Sequence, residues 1–133
     1  MRTILIVDDE FGVVDALSAV LEDAGYRVLT AHNVREALEL LLAELPDLVL
    51  LDYLMPEADG CVLLRTLRRS RDTRTVPVVM MSGMPESMVR RRCNAYQAFL
   101  RKPFGLEELM RTLSPLLDRS SQKGKKTPKP GLH

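Results

Sequence analysis

No C-x-x-C spacing, no histidine pair and no apolar run of membrane-spanning length occur in this 133-residue chain. Its two cysteines, Cys61 and Cys93, stand far apart in helix-like segments, so the expectation is two buried, reduced thiols rather than a disulfide or a metal site. His32 and His133 are too few and too distant for a zinc centre. The chain also lacks both G-x-G-x-x-G and a P-loop, which excludes the common nucleotide-binding signatures. Its apolar runs are of strand length, so no membrane insertion is expected. The N-terminus leads into a strand-like segment with no signal-peptide pattern, and the expected location is cytoplasmic.

Nor is there a strong excess of either charge. Lys and Arg number 19 against 18 Asp and Glu, a net charge of +1. Residues 119–133 carry five basic residues and no acidic one, which leaves residues 1–118 at −4. A mildly acidic body with a basic tail argues against a nucleic-acid-binding core. At 46% hydrophobic and 28% charged residues the composition is that of an ordinary globular domain, and 133 residues leave no room for a second. From Ser120 onward Ser, Gln, Lys, Gly, Pro and Thr predominate. Such a segment cannot offset its ordering entropy by burial, so a domain is expected over 1–119 and a disordered basic tail over 120–133.

What is present is a regular alternation of short apolar runs and helical periodicity. Ile4-Leu5-Ile6-Val7 and Leu48-Val49-Leu50-Leu51 are uninterrupted, the habit of strands covered on both faces of a parallel sheet. Shorter strands are expected at Arg27–Thr30, Val76–Met81 and Ala98–Leu100. Between them Val13, Val14, Leu17, Val20 and Leu21 recur at helical spacing and stop at Gly25, and Asn33 with Glu36 three residues on opens a second helix. Cys61, Leu64 and Leu67 mark a third, Pro85 starts a fourth through Cys93, and Leu106 to Leu117 form the last. Pro115 inside that last helix is expected to kink or fray its final turn. Strands alternating with helices of this length imply a doubly wound parallel α/β sheet, five-stranded, in the flavodoxin-like order 2-1-3-4-5.

Four of the five strands end in a reactive side chain: Asp8-Asp9, Asp52, Ser82 and Lys102. In that strand order the strands bearing them are neighbours roughly 4.8 Å apart, so the side chains converge on one pocket. Asp52 alone reads equally well as a turn cap, since Met55-Pro56 and Gly60 follow it. Clustered, the carboxylates repel unless a cation joins them, and oxygen donors suit magnesium. With an amine and a hydroxyl beside them, such a pocket suits a phosphoryl group that one carboxylate can attack.

These motifs resemble the receiver domain of two-component response regulators over Arg2 to Arg119: Asp8-Asp9 after a strand, Asp52-x-x-Met55-Pro56-x-x-x-Gly60, Ser82-Gly83, and Phe99-x-x-Lys102-Pro103-Phe104. The resemblance implies that Asp52 accepts the phosphoryl group, and that Asp9, Asp52 and the Leu54 carbonyl bind Mg2+ directly with Asp8 reaching it through water. It further implies that Lys102 contacts the phosphoryl group, that Ser82 and Phe99 form the conformational switch, and that the Lys102–Pro103 bond is cis. Leu54 and Met84 would flank the path of the hydrolytic water, and neither can orient it, which implies slow self-dephosphorylation. The implied partners are a sensor histidine kinase or a histidine phosphotransfer protein, and an output partner on the face of the fourth helix, fifth strand and last helix. Arg90-Arg91-Arg92 is expected on that fourth helix, either as a solvated face or as a partner contact. Ala95-Tyr96 departs from the Gly-Ala the family favours before the last strand.

The expected function is therefore a phosphorylation-dependent signalling switch, with self-phosphorylation and self-dephosphorylation chemistry but no enzymatic turnover. The chain reads either as a stand-alone receiver or as the N-terminal part of a larger regulator with a DNA-binding or enzymatic output domain. A haloacid-dehalogenase-like phosphatase uses similar groups, but its nucleophile leads a D-x-D after the first strand. Here that strand gives Asp8-Asp9-Glu10, and no segment could form a substrate-covering cap.

Overall fold

The computed structural model describes residues 1–126. Its elements alternate as β1 (Thr3–Val7), α1 (Phe11–Asp23), β2 (Arg27–Ala31), α2 (Val34–Ala43), β3 (Leu48–Asp52), α3 (Gly60–Arg69), β4 (Val78–Ser82), α4 (Glu86–Arg90), β5 (Ala98–Arg101) and α5 (Leu106–Lys126). All strand pairs are parallel and their order is β2-β1-β3-β4-β5, the expected doubly wound sheet. The period-two alternation of each strand feeds two separate cores. Ile4, Ile6, Leu48, Leu50, Val79 and Met81 face α1 and α5. Leu5, Val7, Val49, Leu51, Val78 and Met80 face the opposite layer, where α3 and α4 supply Leu64, Leu67 and Val89. Because both faces are covered, β1, β3 and β4 are buried along their whole length.

Local signals place the helices. Gly25 takes the left-handed conformation, φ +97°, just past the end of α1. The Asn33 side chain accepts from the Glu36 amide at 2.7 Å, and Glu36 Oε1 accepts in turn from the His32 amide at 2.8 Å. The bond from the His32 amide, with the His32 side chain and the Arg35 charge adding to it, holds the Glu36 carboxyl below the usual carboxylate range.

Four expectations require correction. Cys61 and Cys93 are not free thiols but a disulfide, because the start of α3 and the turn after α4 come within a Cα–Cα distance of 5.7 Å. That distance permits a bridge without backbone movement. The fourth helix is a single short turn ending at Arg90, so Arg91 and Arg92 lie in the following turn rather than on it. The last helix continues through Pro115 instead of fraying there. Pro115 is exposed, and its missing N–H removes one bond from an otherwise continuous ladder. Finally, α5 extends to Lys126, past the expected tail boundary, since a nucleated helix propagates at little cost per residue. The remainder of the expected disordered tail, residues 127–133, lies outside the described residues.

Candidate functional site

Three neighbouring strands deliver the polar cluster. Val7 pairs with Leu51 and Asp52 with Met81, so Asp8, Asp52 and Ser82 emerge side by side at the carboxyl ends of β1, β3 and β4. Past β5, Lys102 is held by its amide, which donates to the Ser82 carbonyl at 2.8 Å. The bond between Lys102 and Pro103 is cis. Behind Asp52 the chain turns tightly: the Gly60 amide donates to the Tyr53 carbonyl at 2.8 Å. A Cβ at Gly60 would lie 2.6 Å from the Asp52 carbonyl oxygen, closer than side chains tolerate, so glycine is required there for backbone approach.

The geometry brings Asp8, Asp9, Asp52 and Lys102 together. Lys102 Nζ donates to Asp8 Oδ2 at 2.8 Å and pairs with Asp52 Oδ1 at 3.0 Å, while Glu10 Oε1 stands 4.0 Å away. Asp8 is wholly buried and accepts a second bond from the Glu10 amide at 3.0 Å. Asp52 is buried, 4% exposed. Burial pushes its carboxyl up to about 6, with the Asp8 charge adding to the shift and Lys102 opposing it. Lys102 itself lies above its usual value: burial pulls it down, but the bonds and charges of Asp8 and Asp52 prevail.

Carboxylate oxygens of Asp8, Asp9 and Asp52 lie within 4.8 Å of one another. Three carboxylates against one ammonium leave excess negative charge in a buried place, and the charges of Asp8 and Asp9 add to the effect of burial in raising Asp52. The donor set is all oxygen, with Asp9 half-buried, and therefore suits a hard divalent cation that keeps some of its water.

The other expected residues surround this centre. Ser82 is buried, and its Oγ accepts from the Met84 amide at 2.9 Å. Met84 is half-buried against the core on the α3 side of the sheet. Leu54 is 65% exposed two residues past Asp52. Phe99 is half-buried, its ring 6.1 Å from that of Tyr96. Tyr96 is buried and donates to Glu86 Oε2 at 3.0 Å; burial and that bond push its hydroxyl up to about 12. It is through this contact that the unusual Ala95-Tyr96 step ties the approach to β5 onto α4. Sequence reasoning missed that tie and the disulfide, since neither leaves a periodic or spacing signal.

The family profile described as "Response regulator receiver domain" matches residues 4–114. This chain is a response-regulator receiver domain. It is 34% identical over 121 residues to the phosphate regulon transcriptional regulatory protein PhoB of Pseudomonas aeruginosa, covering 90% of this chain and 53% of that one. The receiver thus spans about half the length of the curated relatives it matches. Among solved structures, chemotaxis protein CheY4 of Vibrio cholerae superposes with a TM-score of 0.83 at 30% identity, covering 87% of this chain and 98% of that one. The response regulator TrrA of Thermotoga maritima, solved in complex with Mg2+-BeF, gives 0.79 at 28% identity, with 87% and 99% covered. Receiver domains are signalling modules rather than a family of catalytic enzymes. Among the described residues no helix is long and apolar enough to cross a membrane.

Proposed function

We propose that the Asp52 carboxylate accepts a phosphoryl group from a sensor histidine kinase or a histidine phosphotransfer protein. The observation that carries this reading is the Lys102 ammonium held 3.0 Å from Asp52 Oδ1 inside a buried acidic cluster. Asp52 then attacks phosphorus in line, and Lys102, already bonded to Asp8, neutralises a phosphoryl oxygen without having to reorganise. Mg2+ would be held by Asp9, Asp52 and the Leu54 carbonyl, with Asp8 through water, and when bound it supplies positive charge against the phosphoryl oxygens. Ser82 gives up its contact with the Met84 amide to donate to the new group, and Phe99 follows into the space vacated. The change is read on the α4–β5–α5 face by a partner, in the cytoplasm. Leu54 and Met84 offer no group to orient water, so the phosphoryl group is lost slowly.

The test is intact-mass measurement after incubation with acetyl phosphate. The full chain gains one phosphoryl group with Mg2+ present, and neither chelated wild type nor Asp52→Asn gains any. Equal labelling of Asp52→Asn would overturn the assignment.

A further inference from the structure

The Cys61–Cys93 bond belongs to a different part of the molecule from the acidic site. Cys61 is wholly buried in the first turn of α3, whereas Cys93 is half-buried and lines an open groove with Arg65, Arg68, Arg69 and Arg92. No carboxylate lines that groove. Arg92 is matched by Asp59 at 2.9 Å, and Arg68 is engaged with the Ala95, Arg74 and Val76 carbonyls. Arg65 and Arg69 have no ion-pair partner among the described residues, so the approach to the Cys93 sulfur carries positive charge.

We propose that Cys61–Cys93 is a reversible dithiol–disulfide site, opened and closed at Cys93 by a small anionic thiol of glutathione's chemical class, and that its state sets how freely the α4 segment moves. The proposal stands independently of any role for Asp52. A thiolate attacks the accessible Cys93 sulfur, forming a mixed disulfide there and releasing Cys61 as a thiolate that takes up a proton. A second thiol attacks the mixed disulfide on its own kind's sulfur, which frees Cys93 and yields the oxidised disulfide of the reductant. Two thiols thus supply the two electrons, and oxidised glutathione reverses the sequence.

Reversibility is built in by polar ties that outlast the covalent one. Asp59 caps α3 through the Cys61 amide at 3.0 Å while pairing with Arg92, and Arg65 Nη1 donates to the Arg92 carbonyl at 3.1 Å. These contacts keep Cys93 beside Cys61 after reduction, so re-closure is intramolecular. The ties of Arg65 and Arg92 lie at the surface and are individually weak, which leaves the turn after α4 much freer than the disulfide does.

The test equilibrates the full native chain in glutathione redox buffers, blocks thiols by alkylation and counts them by mass. Both thiols should appear together as the reduced fraction rises. At low ionic strength the double variant Arg65→Gln/Arg69→Gln should slow reduction by glutathione about tenfold and leave reduction by cysteamine, whose attacking thiolate is net neutral, unchanged. A bond that survives excess reduced glutathione until the protein is denatured, or thiols that stay free in excess oxidised glutathione, would overturn the site. Equal slowing with both reductants would overturn the anionic thiol. Hydrogen exchange across 86–97 should quicken to the same extent in reduced wild type and Cys93→Ser, with 48–52 unchanged, and unaltered exchange at 86–97 would overturn the effect on mobility.

Discussion

The carboxyl end of β3 and the segment running from β4 to β5 lie side by side, yet they are held by different kinds of force. β3 is buried at every residue, and the turn after Asp52 is pinned by Tyr53 to Met81 and Gly60 to Tyr53 backbone bonds, each 2.8 Å. By contrast α4 buries only Val89, β5 is an edge strand with only Leu100 buried, and their ties are largely polar and exposed. Arg90 pairs with Glu86 at 2.9 Å, Tyr96 reaches the same carboxylate, and Arg101 donates to the Gly83 carbonyl at 2.8 Å. Segments with little buried apolar surface open locally at low free energy, whereas fully packed strands open only with the whole domain. The difference separates two jobs: β3 fixes a carboxylate in place, and the β4–β5 segment is the part of the site's surroundings that can change shape.

Glycine replacement should separate the two regions most sharply. Gly60→Ala forces a Cβ against the Asp52 carbonyl and should cost about 3 kcal/mol, whereas Gly83→Ala meets nothing within 4 Å and should stay within about 0.5 kcal/mol. Urea midpoints of the two variants measure this directly, and similar losses would erase the contrast.

The fixed region should also carry a cost that Asp52 alone explains. Its carboxyl lies at about 6, above its unfolded value, so the protonated form is favoured in the fold. That contribution is fully present below the unfolded value and is lost as pH rises through about 6. In chelator, Asp52→Asn should therefore stabilise the chain by about 2 kcal/mol at pH 7 and by almost nothing at pH 4. Denaturation at the two pH values checks the sign; a variant less stable than wild type at pH 7 would contradict it.

In the looser region, Tyr96→Phe removes the bond to Glu86 and should cost about 1 kcal/mol. Amide exchange should accelerate over 86–97 and remain unchanged over 48–52. The remaining effect expected is kinetic. Leu54→Asn and Met84→Glu should each shorten the phosphoryl lifetime by less than tenfold, under about 1.4 kcal/mol of barrier, read as phosphate release from purified phosphoprotein. Unchanged release with unchanged Mg2+ affinity would remove these two side chains from the account.

The same contrast governs how much could be read from the chain itself. Ile4–Val7 and Leu48–Leu51 announce buried central strands because an unbroken apolar run has few other uses, and strand order then follows from the helices between them. The cluster was legible because each of its residues ends a strand. α4 was not, since five residues complete too little of a helical period to mark an end, and the chain was expected to stay helical through Cys93. The disulfide was hidden by 32 residues of separation that only the tertiary fold closes. Tyr96 gave no clue to Glu86, because a hydrogen bond between loop and helix has no sequence period. The persistence of α5 past Pro115 escaped for another reason: the cost of one missing N–H depends on whether its partner carbonyl can reach water.

Phosphorylation of Asp52 should leave β3 in place and reshape the segment from β4 to β5. Amide NMR spectra of the full chain, recorded before and after adding Mg2+ with beryllofluoride as a phosphoryl mimic, test it most directly. Resonances of residues 83–104 should shift together with those beside Asp52, while residues 27–50 stay in place, and Asp52→Asn should abolish the response. Shifts confined to the immediate neighbours of Asp52, or spread evenly over both regions, would contradict the account.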